Sequence, residues 1–271
     1  MNKIDSYKDL LRPHLEKYFQ DENRAVLEEY LMKQSGLPSP RANLELAQAF
    51  GRVTEEVYSD ASETLDSMID EWVDLSESEA PTGNPREFLV FCGVIGLGAV
   101  AALQRQQLGN ILIRLREKSN DGRWRVREAV CFALQRLLYR YGAPFSHYLE
   151  QWAQTGTPYE LRAAAVSVAD PPLLDNTDFA FKALYLHRLV FSRFQKYDNV
   201  DREARRVLVQ GLSFSLSVVV TALPEAGFDF MADLAHIDNK DIQKILKTNL
   251  AKDRLNAKYP EHVRRISDLL I

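Results

Sequence analysis

This chain predicts an all-α fold, an α-α superhelix of antiparallel helix pairs. Three observations carry the prediction. Almost every segment places apolar residues at helical spacing, and none shows the two-residue alternation of a strand. Short breaks rich in Gly, Pro and Asn divide the chain into helix-length segments, a pattern that gives antiparallel neighbours joined by turns. One helix pattern also recurs. Residues 121–138 read DGRWRVREAVCFALQRLL, and looser versions begin at 157 (TPYELRAAAVSVADPPLL), 201 (DREARRVLVQGLSFSLSVVV) and 238 (DNKDIQKILKTNLAKDRL). The starts lie 36, 44 and 37 residues apart. A unit of that length cannot bury its apolar face alone and must stack on its neighbours. The expected organisation is one continuous helical array over 1–271. Residues 1–80 form acidic capping hairpins within it, and 86–271 carry the repeats.

The elements follow in order. Ile4, Leu11, Leu15 and Phe19 mark a first helix, and Val26, Leu27, Tyr30 and Leu31 a second. Gly36 suits a helix end because it adopts a left-handed backbone without steric cost. Pro38 and Pro40 forbid continuation, so the next helix starts near Arg41 and shows Leu44, Leu46, Ala47 and Phe50. Residues 60–75 give another amphipathic helix, with Leu65, Met68, Ile69, Trp72 and Val73 on one side. The polar stretch 76–87, SESEAPTGNPRE, is the clearest loop and the expected internal boundary. Phe88–Leu103 is uncharged and reads as a central buried helix, since its 16 residues fall short of a membrane span of about 20. In the unit at 121, Val126, Ala129, Val130, Ala133, Leu134 and Leu137 share one face. Pro171–Pro172 cuts the unit at 157 short. Further breaks are expected near 119–122, 142–144, 156–158, 170–176, 197–200, 224 and 237–239.

Composition excludes several function classes. The start of the chain, MNKIDSYKDLLRPHLEKYF, is charged and amphipathic, unlike a secretory leader. Cys92 and Cys131 sit in apolar helical contexts without metal or redox spacing, and read as buried thiols of a cytoplasmic protein. The five histidines (14, 147, 187, 236 and 262) are scattered without metal-ligand spacing. The serines of GLSFSLS, 211–217, lack a nucleophile elbow and fall within a helix. GVIGLG at 93–98 has the wrong glycine order for a dinucleotide loop and no strand before it. Close helix–helix approach explains it better. No catalytic residue, metal site or cofactor is expected, and the chain leans away from being an enzyme.

Charge is uneven along the chain. Residues 1–100 carry 9 Lys and Arg against 19 Asp and Glu, whereas 101–210 carry 17 against 11. The basic middle supplies the candidate binding residues. Arg123, Arg125 and Arg127 flank Trp124, and Arg162, Arg188, Arg193, Arg205 and Arg206 follow in later units. Three outcomes are open, one of them a docking surface for an acidic protein partner. Stacked repeats could align these arginines into a ladder on a phosphate backbone, with Trp124 stacking on a base. Alternatively they pair internally, with Asp121 on Arg127, Asp198 or Asp201 on Arg205 or Arg206, and Asp238 on Lys244. A second candidate is the corner at 35–47, where Arg41 and Asn43 precede a helix whose free N–H groups suit an anion.

The pattern formed by Asp121, Trp124, Val126, Arg127, Val130, Leu134 and Leu137 resembles HEAT repeats, and the closing DNKDIQKILKTNLAKDRL looks like terminal segments of HEAT-like bacterial proteins. The resemblance covers about 86–255. It implies a solenoid that presents an extended surface to a macromolecule. One branch of that superfamily contains alkylpurine DNA glycosylases with a basic concave groove and a catalytic Asp. This chain lacks their aromatic signature and is acidic overall, so no catalytic residue carries over. The leading expectation is a non-catalytic scaffold for a protein partner. The alternative is a nucleic-acid-binding protein or a glycosylase of the HEAT-like type. No membrane association is expected.

Overall fold

A computed structural model describes residues 2–21, 23–197 and 201–270. Among them it shows sixteen α-helices and no strand, so the predicted all-α class holds. The chain divides into two compact units, Met1–Leu137 and Leu138–Ile271. That division does not coincide with the loop at 76–87, which is nonetheless a loop.

The first unit contains α1 (Lys3–Asp21), α2 (Ala25–Gln34), α3 (Leu44–Val57), α4 (Ser62–Asp74), α5 (Glu87–Leu103), α6 (Leu108–Lys118) and the start of α7 (Trp124–Tyr141). Helix α1 packs on α3 and α3 on α5, which makes one layer. Polar bonds tie α2, α4 and α6 into a second. Arg24 of the α2 N-cap reaches Glu71 of α4, Trp72 Nε1 donates to Glu28 at 2.8 Å, and Arg114 of α6 bridges Asp70 and Asp74. Helix α5 is the centre of this unit, and every residue from Glu87 to Ala102 is buried. Its glycines permit that crowding. A Cβ on Gly98 would lie 2.8 Å from the Ala133 Cα, and one on Gly96 would lie 2.9 Å from Ile69 side-chain carbons. The GVIGLG stretch is therefore a packing device, as its glycine order suggested.

The second unit contains α8 (Ser146–Thr155), α9 (Pro158–Ser167), α10 (Pro171–Leu174), α11 (Thr177–Phe194), α12 (Arg202–Ala222), α13 (Pro224–Ala235), α14 (Lys240–Leu250), α15 (Asp253–Asn256) and α16 (Pro260–Ser267). Helices α9, α12 and α14 pack in succession as one layer. Helix α8 packs on α11, and α13 on α16, in the other. Phe191 and Phe230 join α11 to α13 edge to face, with centroids 5.6 Å apart. Three of the four recurring segments are thus the successive helices α9, α12 and α14 of one layer, and the fourth is α7.

Local chemistry sets the helix starts. Thr157 and Glu160 form a capping box on α9, and Asn176, Asp201 and Asn239 cap α11, α12 and α14 by accepting free backbone N–H groups. Some boundaries differ from expectation. Helix α7 begins at Trp124, because Asp121 accepts the Arg123 N–H and holds the turn outside the helix. Helix α3 begins at Leu44 rather than near Arg41, because Asn43 is its cap. The prolines at 171–172 start the four-residue α10, which leaves the unit at 157 short as foreseen. Residues 198–200 of the expected break lie outside the described residues. No single helix among the described residues is long and apolar enough to cross a membrane. Helices α5 and α6 together reach that composition only across a 120° bend.

Candidate functional site

The three arginines of RWRVR are interior groups. Arg123, Arg125 and Arg127 are 2 %, 4 % and 7 % exposed. Arg123 grips the Asp121 carboxylate through Nε at 2.9 Å and NH2 at 2.7 Å, and donates to the Ser76 and Ala80 carbonyls. This contact holds the Asp121 carboxyl below the usual carboxylate range, against the opposing effect of burial. Arg125 pairs with Glu87 at 3.0 Å and donates to the carbonyls of Ser39 and Pro40. Arg127 donates to the backbone carbonyls of Asp121 and Gly122. The expected Asp121–Arg127 ion pair is therefore corrected: Arg123 takes the carboxylate, being two residues away in the same turn. All three fold back to stitch the loops at 35–43, 75–86 and 119–123.

Trp124 stays outside, 44 % exposed, with the Arg125 guanidinium 4.4 Å from its ring centroid. Asn43 spends its side chain locally. It accepts from Leu46 N–H and donates to Gln34 O and Tyr7 Oη. The helix start near Arg41 is thus capped by its own chain, and Arg41 is exposed beside it.

In the second unit the remaining arginines are also engaged. Arg188 contacts Asp233 at 3.5 Å and lies over the Phe230 ring. Arg193 lies over the Tyr197 ring at 5.0 Å. Arg162 packs its stem against Gly211 of α12. Arg205 donates from Nε to Asp241 at 2.6 Å and from NH1 to the Tyr197 carbonyl, with its guanidinium over Phe194. Arg206 forms a two-bonded fork on Glu203. Asp201 caps α12 instead of pairing with either arginine, and Asp198 lies outside the described residues. Asp238 shows no ion pair to Lys244 among the described residues.

The structure brings Arg205 and Arg206 together in one cleft between α12 and α14. Its volume is about 940 Å³, and its lining includes Arg202, Glu203, Val209, Gln210, Asp241, Lys244 and Thr248. Helix α11 presents a different surface. Phe181 and Tyr185 lie one turn apart and are 54 % and 46 % exposed.

One close pair was not anticipated. His187 Nδ1 lies 2.8 Å from the Ala183 carbonyl, and its Nε2 lies 2.9 Å from Ser215 Oγ. A carbonyl only accepts, so Nδ1 carries the proton and Nε2 accepts from the serine hydroxyl. That is nucleophile-and-base chemistry in kind, but both residues are fully buried and no substrate reaches them. Burial pushes the His187 pKa down to about 4, so the ring is neutral near pH 7. No group of His, Cys, Asp or Glu among the described residues can hold a metal ion. Cys92 and Cys131 are buried free thiols, and burial raises the Cys92 pKa.

No family model matches the chain, and no curated protein matches it. Among solved structures it is similar to a designed armadillo repeat protein, at 16 % identity and a TM-score of 0.30, covering 84 % of this chain and 99 % of that one. The helical-repeat architecture rests on the helix order and packing described above.

Proposed function

We propose that this protein is a non-catalytic scaffold that binds another protein. The observation that carries the reading is the exposed pair Phe181 and Tyr185 on α11. Aromatic rings on a helix surface lose hydration cheaply and dominate protein–protein contacts, where Trp, Tyr and Arg supply most of the binding energy. Helix α11 holds the pair, because Ala183, Leu184, Leu186 and His187 of the same helix are buried.

The alternative was a nucleic-acid-binding protein or a HEAT-like glycosylase with a basic concave groove. The arginines give it little support. Phosphate contact needs cations free to displace counterions, and Arg123, Arg125 and Arg127 are buried while Arg188, Arg205 and Arg206 already hold carboxylates. Buried free thiols at Cys92 and Cys131 suit a reducing cytoplasm, the compartment we propose.

A photo-crosslinking residue in place of Tyr185 tests the reading in cells. A discrete protein adduct that disappears on Phe181→Ala supports it. Adducts to nucleic acid alone, or no adduct, overturn it.

A further inference from the structure

We infer that the cleft between α12 and α14 takes an acidic segment of a protein partner. The inference rests on the protein-binding reading above and adds the chemistry of the ligand at a second surface. Its argument is one of unspent charge. Every carboxylate that lines the cleft is already engaged by the chain. Asp241 receives the Arg205 Nε at 2.6 Å, and Glu203 receives the Arg206 fork at 2.6 and 2.7 Å. Asp201 accepts the Ala204 N–H at 2.9 Å.

Two cations on the same lining are not engaged. The side chains of Arg202 and Lys244 have neither an ion pair nor a hydrogen bond among the described residues, and both are exposed. They stand on opposite walls, Arg202 on α12 and Lys244 on α14. The lining thus carries four cations against three carboxylates, and its two unengaged cations can donate to an incoming carboxylate. Between those walls lie the neutral side chains of Val209, Gln210, Ser213 and Thr248. A volume of about 940 Å³ is near the upper end of small-ligand sites, which run to about 1,000 Å³, and so admits a short stretch of chain.

Arg205 makes the site rigid. Its guanidinium is held by Asp241, by the Tyr197 carbonyl and by the face of Phe194, so it forms fixed wall rather than a mobile arm. A preorganised wall lowers the ordering cost of binding. A nucleic-acid strand fits less well. Its affinity grows with the number of phosphates neutralised, and the cleft offers only two unengaged cations.

The test uses full-length protein and a short fluorescein-labelled Glu-Ala repeat peptide, read by fluorescence anisotropy. Saturable binding at low salt is expected. The paired change Arg202→Glu and Lys244→Glu should weaken it about tenfold or more, because attraction at both walls becomes repulsion. The milder Arg202→Gln with Lys244→Gln should weaken it less, and circular dichroism should show both variants folded. Phe181→Ala should leave the peptide affinity unchanged. Three results overturn the inference: no saturable binding, binding indifferent to both paired changes, or tighter binding of a single-stranded oligonucleotide of matched length. Loss of peptide binding with a persistent crosslink at position 185 removes this inference alone. Loss of the crosslink with intact peptide binding removes the α11 reading alone.

Discussion

Replacing Arg125 with Met should be among the most damaging single changes in this protein, and the structure says how damaging. Arg125 and Glu87 have side chains 5 % and 0 % exposed, with NH1 and Oε2 3.0 Å apart. Removing the guanidinium deletes this pair, the bonds to Ser39 O at 2.8 Å and Pro40 O at 3.3 Å, and the stacking on Trp124. The Glu87 carboxylate is then left with only the Gly83 N–H at 2.7 Å, since Oε1 has no partner even in the intact protein. An orphaned buried charge of this kind costs about 3–5 kcal/mol. That is about a fifth or more of an ordinary stability of about 5–15 kcal/mol. Most of the loss is the stranded charge rather than the missing attraction, so the second change Glu87→Gln should recover at least about 2 kcal/mol. Urea unfolding followed by tryptophan fluorescence measures both variants. A loss below about 1 kcal/mol for Arg125→Met, or a double variant no more stable than the single one, refutes the buried-pair reasoning.

Other outcomes follow from the same physics. Arg206→Ala breaks a pair in which Arg206 is 61 % exposed, and should leave the urea midpoint nearly unchanged. Gly98→Leu should cost about 2 kcal/mol or more by thermal unfolding, because even a Cβ there lies 2.8 Å from the Ala133 backbone. His187 makes the protein acid-sensitive. Its pKa is near 4 when folded and 6.5 when free, so the unfolded chain binds the proton first and stability falls as pH drops from about 7 towards 4. The full contribution is about 3 kcal/mol, and His187→Gln should flatten that part of a pH–stability profile. A profile unchanged by the substitution contradicts a neutral buried ring. Thr157→Ala should cost about 1 kcal/mol by removing the α9 capping box.

Much of the fold was legible because helical periodicity and helix punctuation are local signals. Leu65, Met68, Ile69, Trp72 and Val73 share a face in sequence and are buried together in α4. Asn43 and Thr157 cap α3 and α9, and reading Asn43 as a cap would have moved the expected α3 start from Arg41 to Leu44. The arginine contacts were less legible, because their partners are remote. Arg125 meets Glu87 and the carbonyls of residues 39 and 40, which spacing around 125 cannot reveal. The HEAT-like scheme of an Asp in the turn and an Arg in the following helix placed Asp121 with Arg127, but Arg123 sits inside the preceding turn and reaches the carboxylate first. One missed pair did carry a signal. Arg205 and Asp241 are 36 residues apart, close to the 37-residue step between their repeats, so stacking puts them side by side. His187 and Ser215 had no such clue. Phe181 and Tyr185 were hidden for another reason: in an aromatic-rich helix, exposed rings read like core.

The claim that the arginines serve the fold rather than a phosphate backbone has one most direct test. Binding of a short fluorescent DNA duplex, with and without an alkylated base, should be measured across a salt series. The account predicts affinity no tighter than about 10⁻⁴ M near physiological salt, the weak edge of non-specific binding, and no base release. Micromolar binding that falls steeply with salt, with a slope reduced by Arg205→Ala or Arg206→Ala, would contradict it.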